Sequence, residues 1–80
     1  MTQVTRTKTL DQLLPGQSAQ VRKVSGDGAL RRRLMDMGLT AGTTVTVLKA
    51  SPLGDPVEYR VRGYLLTLRK SEARLIEVSD

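Results

Sequence analysis

From Val57 to Leu68 the chain alternates between apolar and polar residues more regularly than anywhere else, and that pattern limits what it can fold into. Val57, Tyr59 and Val61 fall on one side, Glu58, Arg60 and Arg62 on the other, the period of a strand with one buried face. Arg62-Gly63 reads as a tight hairpin turn, and Tyr64 to Leu68 as the returning strand. Other segments follow the same logic. Ala19 to Val24 is a strand with Val21 in the core, and Arg22 and Lys23 near water. Thr43 to Ala50 is a β-branched strand with Val45 and Val47 on one face, and Arg74 to Val78 is the last strand. Ser51-Pro52-Leu53-Gly54-Asp55-Pro56 breaks the pattern with two prolines and a glycine, so no central strand continues through it.

One helix interrupts these strands, over about residues 28–37. Ser25 or Asp27 caps its start. Leu30, Leu34 and Met37 share a helical stripe that faces the core, while Arg31, Arg32 and Met35 are expected to point to water. Gly38 ends the helix in a left-handed conformation, and Leu39 folds back onto the last turn. Leu10 to Leu13 reads as a single helical turn closed by Pro15-Gly16, Lys70 to Ala73 as a short link, and Met1 to Lys8 as a flexible tail before one domain over 9–80.

Five short strands and an inserted helix in 80 residues point to a mainly β domain with one or two short helices. The expected architecture is a small closed barrel, because closure removes edges that so short a chain cannot protect. An SH3-like barrel fits its short strands and long loops best, with an OB-type barrel as the structural alternative. The core is expected to comprise Val21, Leu30, Leu34, Val45, Val47, Tyr59, Val61, Leu66, Leu68 and Ile76. With no cysteine, neither disulfides nor thiolate metal sites can form. The missing cysteine fits a reducing cytoplasm. No apolar run nears the ~20 residues that span a bilayer, and no hydrophobic signal core follows Arg6 and Lys8.

Catalysis is not expected. There is no histidine to move protons, no cysteine nucleophile, and the carboxylates lie scattered over separate elements. No cofactor is implied. Asp36 beside Met35 and Met37 is the one cluster with ligand character; without imidazole or thiolate it supports no tight metal site, and a weak oxygen-only one stays open.

A net charge of +5 leaves nucleic acid, anionic lipid and acidic proteins open as partners. Nucleic acid is disfavoured because single-strand binding uses aromatic platforms, and of the two tyrosines Tyr59 has core parity. The candidate docking residues are Arg31, Arg32 and Met35 on the helix, with Leu53 and Asp55 on the proline loop. An adaptable methionine ringed by arginines resembles the centre of an interface, and a stiff loop loses little entropy on docking. Three classes stay open: a docking module, a small basic nucleic-acid-binding barrel, and a self-associating module.

Several motifs, in order, resemble one family: Leu10-x-x-Leu13-x-x-Gly16, then Arg33-Leu34-Met35-Asp36-Met37-Gly38-Leu39-Thr40-Ala41-Gly42, then Pro52-Leu53-Gly54-Asp55-Pro56, then Gly63-Tyr64-x-Leu66-x-Leu68-Arg69-x-x-Glu72-Ala73. Together they span Leu10 to Val78 and resemble FeoA, the small cytosolic component of bacterial ferrous-iron transport. The resemblance implies an SH3-like barrel and a partner, the FeoB-type membrane Fe(II) transporter with its cytosolic GTPase domain. It also implies a non-catalytic role, either modulating GTP hydrolysis or helping the transporter assemble. Transition-metal binding is implied through the family's kinship with the C-terminal domain of DtxR-type repressors. This chain has no phosphate-binding loop, so nucleotide chemistry would belong to the partner. Arg31 and Arg32 are the helix arginines placed to reach a partner's phosphates as an arginine finger does.

Overall fold

Val57, Tyr59 and Val61 all turn inward, and the strand they form lies between two antiparallel neighbours. The computed structural model describes residues 8–79. Its strands are β1 (Lys8–Thr9), β2 (Ser18–Val24), β3 (Thr44–Ala50), β4 (Val57–Val61), β5 (Tyr64–Leu68) and β6 (Ile76–Ser79). Two helices join them, α1 (Gly28–Asp36) and the one-turn α2 (Lys70–Ala73). A 3-10 turn covers Leu10–Gln12. The strands make one antiparallel sheet in the order β1-β6-β2-β3-β4-β5.

Two bulges curl this sheet, between Val21 and Lys23 of β2 and between Val47 and Lys49 of β3. A bulge adds a residue and sharpens the local twist. It also lets Arg22 and Lys23 both face water, which strict alternation forbids. The curled sheet wraps a core of Leu, Val and Ile with Tyr59, and every expected core residue except Leu30 is buried. Leu30 is half-buried against that core. The β4–β5 hairpin turns at Arg62 and Gly63, both with positive φ, the geometry that a two-residue hairpin prefers.

Asp27 caps α1, its Oδ1 accepting from the Leu30 N–H at 2.9 Å. The helix stops where expected. Gly38 has φ of 98°, and the Leu39 N–H returns to the Leu34 carbonyl at 3.3 Å, which buries Leu39 completely. Any side chain at Gly38 would collide with Tyr64, whose hydroxyl donates to the Met37 carbonyl.

Four expectations change. The curled sheet does not close by hydrogen bonds, because β1 and β5 are not paired with each other and both remain edges among the described residues. Of the tail read over Met1 to Lys8, residues 1–7 lie outside the described residues, while Lys8 is in β1 opposite Val78. The Lys70–Ala73 link is a helical turn, and the strand after it begins at Ile76 rather than Arg74. The strands number six among the described residues, the addition being β1.

Candidate functional site

α1 is seated differently from the orientation that its three apolar residues suggest. Only Leu34 is fully buried, and Leu30, Met35 and Met37 are all partly buried against the core. The sheet-facing arc therefore extends past Leu34 toward Met35. Met35 is not the exposed centre of a basic surface, because it is partly buried and packs against the core. Arg31 lies within the same arc and turns back, its Nε donating to the Val24 carbonyl at 3.0 Å. That bond occupies a carbonyl at the end of β2 and fixes the guanidinium beside the sheet.

The solvent-facing side of α1 is Ala29, Arg32, Arg33 and Asp36, around a shallow concavity. Arg33 is committed to an ion pair with Glu72 of α2. Arg32 has no hydrogen-bond or ion-pair partner among the described residues, and it is exposed. All three consecutive arginines are exposed, and Arg32 alone has no partner among the described residues.

The second candidate element is rigid. In the proline loop the Ser51 N–H donates to the Pro56 carbonyl at 2.9 Å, and the Gly54 N–H to the Ser51 carbonyl at 2.7 Å. The Ser51 hydroxyl donates to the Asp55 carbonyl at 2.7 Å. Leu53 projects from this frame 95% exposed. Asp55 does not face outward with it. Its Oδ1 accepts from the Lys70 N–H at 3.0 Å, so its carboxylate serves the first turn of α2, where backbone donors lack helical partners.

α2 was missed as an element, yet it ties the candidate regions together. Glu72 Oε1 accepts from the Arg69 N–H at 2.9 Å and closes the turn, while Oε2 holds Arg33 of α1. Asp55 of the proline loop reaches the start of the same turn. On its other side Arg74 faces Asp11 of the 3-10 turn at 3.6 Å. These exposed pairs add little energy one by one, but through α2 they tie α1, the proline loop and the 3-10 turn to one another. The sequence reading also passed over Leu14, 64% exposed, and Leu65, 55% exposed. The signal for Leu65 was present, since its parity is opposite to that of Leu66 and Leu68.

Between the proline loop and the 3-10 turn lies a cavity of about 180 Å³, lined by Leu13, Leu14, Val57, Tyr59 and Lys70 among others. Burial, then Asp11, then Asp55 push the Tyr59 hydroxyl from 10.0 up to about 12. Its neutral form is thus favoured in the folded chain. The unfolded chain loses this proton first as pH rises, so stability is full below about pH 10 and declines between about 10 and 12. Alkaline unfolding followed by circular dichroism should show that decline, and Tyr59→Phe should remove most of it.

Among the described residues no three His, Cys, Asp or Glu side chains gather to hold a metal ion. The donors present do not fit a tight Fe(II) or Zn(II) site. Tyr59 is buried and Tyr64, though 43% exposed, is anchored through its hydroxyl to the Met37 carbonyl, so at most one ring faces solvent. No helix among the described residues is long and apolar enough to cross a membrane.

Known proteins share this arrangement. A FeoA-like protein from Clostridium acetobutylicum superposes with a TM-score of 0.85 at 37% identity, over 95% of this chain and 88% of that one. FeoA from Stenotrophomonas maltophilia, solved with zinc and described as an SH3 domain protein, superposes with a TM-score of 0.79 at 32% identity, over 90% and 89%. The barrel is therefore of the SH3-like kind. A fusion of Fe(2+) transport protein A with the Fe(2+) transporter FeoB, from Porphyromonas gingivalis, is 42% identical over 69 residues, which are 86% of this chain but 8% of the fusion. With the FeoA domain model matching residues 8–80, the chain belongs to the FeoA family.

Proposed function

We propose that this chain is an accessory protein of ferrous-iron uptake, docking on the cytoplasmic face of a FeoB-type transporter and modulating Fe(II) transport without chemistry of its own. The observation that carries the reading is the Porphyromonas gingivalis chain, in which a FeoA portion is joined covalently to FeoB. A tether raises the effective concentration of two modules that work together, and a separate chain of the same family needs a surface that replaces it. Arg32 on α1 and Leu53 on the proline loop are the candidates for it, an unpartnered cation and a preformed apolar knob. Both are exposed and unpartnered among the described residues, whereas Met35 packs against the core, Asp55 holds the first turn of α2, and the exposed Arg31 is tied to Val24. Should the partner's GTP hydrolysis respond, Arg32 is the arginine able to approach phosphates, since Arg31 is bound to Val24.

The test is Fe(II) uptake in cells whose own copy of the gene is deleted. Uptake should fall while the amount of transporter in the membrane stays constant, and wild-type protein should restore it. Uptake unchanged by the deletion would end the proposal.

A further inference from the structure

β5 is an edge strand, and it is unguarded. Edges are usually kept short or protected by charge or proline. The other edge, β1, has two residues. β5 has five, Tyr64-Leu65-Leu66-Thr67-Leu68, with neither charge nor proline. Only β4 packs along its length among the described residues.

The register shows which backbone groups are left over. Val61 and Tyr64 flank the two-residue turn, so they form a hydrogen-bonded pair, and pairs alternate from there. Tyr64, Leu66 and Leu68 direct their N–H and C=O groups to β4. Leu65 and Thr67 direct theirs to the open side, where they have no partner among the described residues. The exposed Leu65 side chain adds an apolar contact, next to Arg60 on the outer face.

We propose that β5 accepts an added strand, an extended segment of another protein that is β-branched or apolar in its middle and acidic at both ends. The ends are set by charge: exposed Arg62, which also donates to Thr43 Oγ1 at 3.1 Å, lies before β5, and exposed Arg69 and Lys70 lie after it. The same charges oppose a second copy of this chain. Antiparallel self-pairing with the longest overlap sets Leu65 against the second copy's Thr67, and Arg62 against its Lys70, like charges face to face. Strand addition draws affinity from main-chain hydrogen bonds and selectivity from the flanking side chains. This inference stands apart from the docking role of Arg32 and Leu53.

The experiment is amide exchange and chemical-shift titration of the full, isotope-labelled chain with a terminally blocked peptide, Glu-Glu-Val-Thr-Val-Thr-Val-Glu-Glu. Exchange at the Leu65 and Thr67 amides should slow, shifts should run along Tyr64 to Leu68, and the peptide with lysine in place of glutamate should not bind. Thr67→Pro removes an outward N–H without touching the β4 ladder, so the fold should survive and affinity should drop at least about tenfold. The proposal is overturned by unchanged exchange at those two amides, by equal binding of both peptides, or by shifts confined to another surface. Protection that rises with protein concentration alone would assign the edge to a second copy and overturn it too. If Thr67→Pro does not fold, exchange in the wild-type chain decides.

Discussion

Leu34→Ala is expected to lower the free energy of unfolding by about 2–5 kcal/mol. Leu34 is the one fully buried residue of α1, and its carbonyl receives the Leu39 N–H that closes the helix end. Truncation leaves a cavity under the helix at the point where Leu39, also fully buried, folds back. A small domain holds only about 5–15 kcal/mol in total, and without cysteine this one has no cross-link to fall back on. Urea unfolding should show the midpoint moving with the slope nearly unchanged. Leu53→Ala is the control. At 95% exposure it should fall within about 0.5 kcal/mol of wild type. A Leu34→Ala protein as stable as wild type would mean that the helix is not clamped by this residue.

The second large effect concerns binding. Replacing Arg32 by Glu and Leu53 by Asp together should weaken docking to the transporter's cytosolic region by about 2 kcal/mol or more, roughly thirtyfold. Neither residue has a hydrogen-bond or ion-pair partner to lose among the described residues, so the thermal midpoint should not move. Arg33→Ala is the informative contrast. It breaks the pair with Glu72 and loosens α1 from α2 without touching the proposed surface. Its effect on docking should be smaller and should come through the placement of Arg32. Isothermal calorimetry against the purified cytosolic region would rank the variants.

Local patterns carried most of the fold. The Val57–Arg62 alternation, the Arg62-Gly63 turn and the stop at Gly38 depend on residues close in sequence, and each can be read from composition and spacing. The core followed for the same reason, since inward parity on a strand is a local property. What escaped was decided by distant contacts. α2 is four residues long, too short for any periodicity, and one of its first-turn donors is satisfied by Asp55, fifteen positions earlier. Lys8 becomes a strand only because Val78, at the far end of the chain, lies beside it.

The candidate site was legible in part. Leu53 is expected outside and is there, and Arg32 is exposed and has no partner among the described residues. Arg31 and Met35 were placed by a wheel centred on Leu30, Leu34 and Met37. The docked helix rolls toward Met35, because the sheet and Leu39 set its seat. Asp55 lies beside Leu53 in sequence, but its carboxylate is taken up by a backbone donor that no motif announces.

The central claim is that Arg32 and Leu53 belong to one docking surface for a FeoB-type transporter. The most direct measurement is an amide NMR titration of the labelled chain with the transporter's cytosolic GTPase domain, first with GDP and then with a GTP analogue. Shifts or broadening should fall on α1 around Arg32 and on the loop around Leu53, relayed to α2 through Arg33 and Asp55. Spectra unchanged in both nucleotide states, or changes confined to surfaces away from α1 and the proline loop, would contradict it.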